Sequence, residues 1–168
     1  HFAYCAMPLT QRNQPWSEAR GKAFKLAVEE QGYSCSVFRP TDAVSGNWSR
    51  LLGNMCEWLR QLPLPVGILA AYDVRALNVL EACREVGLQV PDSVAVLGVD
   101  NDEQVCDLGI PPLSSIIQGG SRLGYEAAVL LDSLMNSKTA TVGEVRTIPP
   151  QGVATRHSTD TLAIDDEE

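Results

Sequence analysis

The sequence predicts a doubly wound α/β fold on a parallel sheet, and two observations carry that expectation. Its strand-like segments are continuous apolar runs rather than period-two alternations, the pattern of strands buried on both faces. These runs alternate regularly with helical patterns, which gives four strands joined by three helices through right-handed βαβ crossovers.

Phe2–Ala6 is the expected first strand. After a polar loop with Pro8 and Pro15, Ser17 is placed as the N-cap of a helix running to about Gln31. Ala19, Ala23, Phe24, Ala27 and Val28 form its inner face, and Gly32 closes it. "YSCSVF" is the second strand, followed by the loop "RPTDAVSGN". The next helix places Trp48, Leu51, Leu52, Met55 and Leu59 on one side and stops before Pro63 and Pro65. "VGILAAY" is the third strand, and a helix from Val74 to Val86 turns Leu77, Leu80 and Cys83 inward before Gly87. "SVAVLGV" is the fourth.

Beyond Asp100 the rhythm breaks. "PPLSSIIQGG" gives a short extended run, then come a helix from Ser121 to Met135 and extended stretches at "EVRTIPP" and "GVATRHS". The expected division is a βα lobe over 1–112, a crossover with part of a second lobe over 113–160, and an acidic linker over 161–168.

With 168 residues, 45% of them hydrophobic, the chain can bury one ordinary core or slightly more. A net charge of −8 argues against direct tracking of a phosphate backbone. Five cysteines without C-x-x-C spacing suit reduced thiols in a cytoplasmic protein. His1 and His157 stand far apart in sequence, so neither a metal site nor a Cys–His nucleophile is expected. No membrane span or signal peptide is read, and the start at "HFAYCA" is taken as a piece of a longer protein.

Open parallel sheets bind ligands outside the carboxyl ends of their strands. The residues there are Trp16 and Arg20 after the first strand, Trp48 after the second, Tyr72 and Asp73 after the third, and Asp100, Asn101 and Asp102 after the fourth. Gln118 ends the later extended run. Carboxylates accept from vicinal hydroxyls, Arg donates in a fixed fork, and a flat aromatic covers the C–H face of a sugar ring, so a neutral polyol is the expected ligand. Plainer readings stay open beside this one: Asp73 as a helix N-cap, Asp100 in a solvated turn, Trp48 in the core, Arg20 paired with Glu18 or Glu29.

Catalytic motifs fail. "QGGSRLG" lacks G-x-G-x-x-G spacing, and adjacent glycines at a hinge explain it equally well. A phosphoacceptor domain needs acids after the first strand, where "CAMP" stands, and G-x-S-x-G is absent. No enzyme activity and no cofactor are expected.

"SEARGKAFKLAVEEQG", "GILAAYDVRALNVLEACREVGLQVPDSVAVLGVDND", "PPLSSIIQGGSRLGYEAAVLLDSLM" and "GVATRHST" resemble, in order, the effector-binding domain of the lactose and galactose repressor family. The stretches around "NWSRLLGNMCEWLRQLPLPVGILAAYDVRA" and "GVDNDEQ" are most similar to its xylose operon regulatory branch, whose DNA-binding domain is of the arabinose-regulator type. The resemblance implies a periplasmic-binding-protein-like C-terminal lobe plus a fragment of the second lobe. It further implies a homodimer, D-xylose as the small-sugar effector, and DNA contact only through a domain outside this chain. It assigns ligand contacts to Arg20, Trp48, Asp73, Asp100 and Gln118. Ala23 stands where the family has glycine, and Tyr72 where it often has asparagine or threonine. A periplasmic sugar-binding protein of a transport system shares the fold and is the alternative; a nucleotide-using enzyme is a third and weaker one.

Overall fold

The computed structural model describes residues 1–8, 15–40, 48–136 and 145–160. The expected linker, 161–168, and most of the loop "RPTDAVSGN" lie outside the described residues. Strands β1 (Phe2–Cys5), β2 (Cys35–Phe38), β3 (Val66–Ala70), β4 (Val94–Val99), β5 (Ser114–Ile117) and β6 (Gly152–Ala154) form one sheet in the order β2-β1-β3-β4-β5-β6. The first five are parallel and β6 joins β5 antiparallel. The chain steps from β1 outward to β2 and then back across to β3, so the strand order reverses between β1 and β3, where a ligand crevice is expected.

Helices α1 (Pro15–Glu30), α2 (Trp48–Gln61) and α3 (Asp73–Val86) are the expected crossovers. On one face, Ala3, Cys5, Ile68, Ala70, Val94 and Val96 pack against Met55 and Leu59 of α2 and Ala76, Val79 and Leu80 of α3. Fully burying each large aliphatic side chain stabilises by roughly 1.5–3 kcal/mol. Tyr4, Leu69 and Val99 line the other face beneath Phe24 of α1. A Cβ at Gly21 would collide with the Tyr4 ring, so glycine there lets α1 approach the sheet.

Three local expectations are corrected. Ser17 is the third residue of α1 rather than its cap, and its hydroxyl instead accepts from Met7 N–H at 3.1 Å. Asp73 is the first residue of α3, whose N-cap is Tyr72. A short helix α4 (Glu103–Asp107), capped by Asp102 accepting from Val105 N–H, follows β4 where only a turn was read.

β5 and β6 continue the sheet beyond the expected division at 112. The tail is pinned to it: Ser158 Oγ donates to the Val96 carbonyl at 2.6 Å and accepts from Ser114 N–H at 2.8 Å. Helix α5 (Gly120–Asn136) is different, with no buried residue, and it exposes Leu123, Tyr125, Leu131, Leu134 and Met135.

Candidate ligand-binding site

The C-terminal edge of the sheet brings together most of the residues singled out from sequence. On the β1–β3 side, Arg20 donates to the Ala71 carbonyl and its guanidinium lies 5.2 Å from the centre of the Trp16 ring. Trp16 meets Tyr72 edge-on, ring centres 6.4 Å apart. Glu18 and Glu29 pair instead with Arg39 and Lys25, so Arg20 is not a surface ion-pair partner of either.

On the β4–β5 side, Asp100, Asn101, Gln118, Gly119, Ser121 and Gln151 line a cavity of about 440 Å3. Gln118 Nε2 donates to Asp100 Oδ1. Asp100 and Asn101 hold φ angles of 117° and 53°, a left-handed region that non-glycine residues occupy at a cost. The turn is held there by Asn101 N–H donating to Ser115 Oγ at 3.0 Å and by Arg156 Nη1 donating to Asn101 Oδ1 at 3.0 Å. Desolvation in the cleft raises the Asp100 pKa, with the Gln118 amide pulling the other way. Arg20 also pulls the Asp100 pKa down, a smaller effect than the desolvation, the Gln118 hydrogen bond or the neighbouring Asp73 charge.

Asp73 and Trp48 are placed otherwise. Asp73 is 2% exposed; its Oδ2 accepts from Asp102 N–H at 2.8 Å and its Oδ1 from Ser115 Oγ at 2.5 Å. Its carboxylate is thus committed inside the protein, beneath the Asp100 turn. Trp48, 43% exposed, lines a separate cavity with Leu77, Leu80, Leu108 and Ile110 that shares no lining residue with the first. Sequence reasoning missed Gln151 and Arg156, which reach the site from β6 and its flank. A tail strand returning to the edge of the sheet was the signal available for both. No group of three or more His, Cys, Asp or Glu among the described residues is arranged to hold a metal ion.

The chain is 32% identical to the xylose operon regulatory protein of Escherichia coli K12 over 165 residues, covering 98% of this chain and 42% of that protein. It is 34% identical to the corresponding protein of Haemophilus influenzae with the same coverage. It therefore spans less than half the length of these relatives. A solved xylose-binding transcription activator superposes with a TM-score of 0.87 at 32% identity, over 99% of this chain and 43% of that one. A LacI-family regulator from Arthrobacter sp. FB24 in complex with lactose gives 0.72 at 29% identity, over 95% of this chain and 57% of that one. No described helix is long and apolar enough to cross a membrane. The model of the periplasmic binding protein-like domain matches residues 1–159, and the chain belongs to that family.

Proposed function

We propose that the chain is the effector-sensing part of a transcriptional regulator of sugar catabolism, cytoplasmic and homodimeric, that binds D-xylose between two lobes. The observation that carries the reading is the Asp100 turn. A carboxylate on strained backbone, with Gln118 on one oxygen, lines a cavity that mixes polar side chains with Ile117 and Leu123, positioned to accept from ligand hydroxyls. Arg20, Tyr72 and Trp16 supply a donor and aromatic faces along the same edge. Trp48 and Asp73 belong to the proposed set through the resemblance; Asp73 acts by bracing the turn, while Trp48 lines the neighbouring cavity beside α3.

Helix α5, leaving the sheet after Gly119 with an exposed apolar stripe, is assigned to the second lobe. Gly119, at φ 72°, gives the crossover a backbone conformation suited to a hinge. Sugar that binds the closed arrangement more tightly shifts the population toward it, and a DNA-binding domain elsewhere in the protein reads the change. DNA contact through this chain itself is disfavoured by its net charge of −8. The relatives along its whole length are operon regulators, which favours regulation over transport.

Calorimetric titration with D-xylose tests the reading. The complete gene product binds measurably, and this chain alone, holding one side of the site, binds at least about 10-fold more weakly. Equal affinities would overturn the two-lobe site.

A further inference from the structure

Arg75, in the first turn of α3, is 4% exposed, yet its Nε and Nη1 have no hydrogen-bond partner among the described residues. Among the described residues its Nη2 reaches only Met7 Sδ, at 3.9 Å, a weak acceptor. The nearby Cys5 offers no counter-charge: burial pushes its thiol up to about 12 even against the pull of Arg75, so it stays protonated. Asp73, two residues earlier, has spent both oxygens on Asp102 and Ser115.

A guanidinium does not neutralise itself by losing a proton. Buried without acceptors it destabilises the fold, and an apolar side chain of the same length would serve the core better. The position of the charge suggests what it is kept for. Arg75 touches the exit of β1 at Met7, beside the reversal of strand order between β1 and β3 where open sheets bind ligands. Arg20, fixed on the Ala71 carbonyl at the end of β3, stands on the same edge. Met7 is half-buried and unbranched, the kind of side chain that moves aside at little cost.

We propose that Arg75 is a specificity-determining residue of the sugar site, its free Nε and Nη1 donating to an oxygen of the bound polyol once Met7 gives way. This rests on the sugar-sensing reading above. It adds a donor at the β1 end of the cleft, opposite the acceptor at Asp100. A ligand lacking an oxygen at that end leaves the cation unpaired and is rejected.

The test compares wild type, Arg75→Met and Arg75→Lys in the complete gene product, by calorimetry with D-xylose and by thermal unfolding without sugar. The expected result is a loss of affinity of about 10-fold or more in Arg75→Met, with Arg75→Lys in between. The unfolding temperature of Arg75→Met without sugar is unchanged or higher. Affinity within about twofold of wild type in Arg75→Met overturns the assignment, because one charged hydrogen bond exceeds that. A marked drop in its unfolding temperature overturns it too and makes Arg75 structural. A wild type that binds no xylose, arabinose or ribose fails the sugar reading itself and takes this inference with it.

Discussion

The turns after β3 and β4 each end an apolar strand in an aspartate, and the two aspartates meet opposite fates. Asp73 is sealed in, with both oxygens occupied by Asp102 N–H and the Ser115 hydroxyl. Glycine at position 98 makes this possible, since a Cβ there would collide with Asp73 Oδ1. Asp100 is exposed, held at a φ of 117°, and joined by one oxygen to Gln118. A carboxylate at the end of a parallel strand can thus be a fastener or, as proposed for Asp100, a receptor. The fastener has its valences satisfied inside the protein. The receptor sits on strained backbone and keeps a valence for something else. Through Ser115, which also accepts from Asn101 N–H, the first aspartate holds the second in its strained turn.

The largest effect should come from breaking the fastener. Asp73→Ala leaves a buried hydroxyl and a backbone N–H without their acceptor, and it should lower stability by about 3 kcal/mol in chemical denaturation. It should also free the Asp100 turn, so sugar affinity falls as well. A loss under about 1 kcal/mol would mean that the buried bonds add little and that Asp73 and Asp100 differ in exposure alone.

Substitution at the receptor should reverse the balance. Asp100→Gly relieves the left-handed strain and should raise stability by about 1 kcal/mol, while D-xylose affinity falls about 10-fold or more. A glycine variant less stable than wild type would show that the turn is not strained, and the inference from backbone to receptor would lose its footing.

How much of this was readable in the chain depends on sequence separation. Val66–Ala70 and Val94–Val99 were legible as strands because burial on both faces demands an unbroken apolar run. β5 was legible as a short extended run but not as a fifth member of the sheet, because Ser114 and Ser115 break the unbroken apolar pattern of the other strands. They are fully buried because their hydroxyls are used, Ser114 on the Arg156 carbonyl and Ser115 on Asp73. The committed state of Asp73 was hidden for the same reason, since its partners lie 29 and 42 residues away. Nothing in the sequence singled out Arg75, and only its burial distinguishes it. The rim positions of Arg20, Tyr72, Asp100 and Gln118 were legible because strand ends are, and the topology brings strand ends together.

The smallest effect is the most specific to the receptor, because two slopes of opposite sign should come from one carboxyl. The Asp100 pKa is raised above 3.8 in the fold, chiefly by desolvation, so the folded state holds that proton more tightly than the unfolded chain does. This contribution to stability is present below the unfolded value and is lost as pH rises through the folded one. Sugar hydroxyls donate to the ionised form, so binding displaces the proton and D-xylose affinity should rise with pH across the same window. Titrations at several pH values, beside unfolding curves of wild type and Asp100→Ala, resolve both slopes. The variant should lose the Asp100 part of each. Affinity that does not change across that window would mean that the sugar's hydroxyls do not meet Asp100, and the receptor would have to be sought elsewhere on the rim.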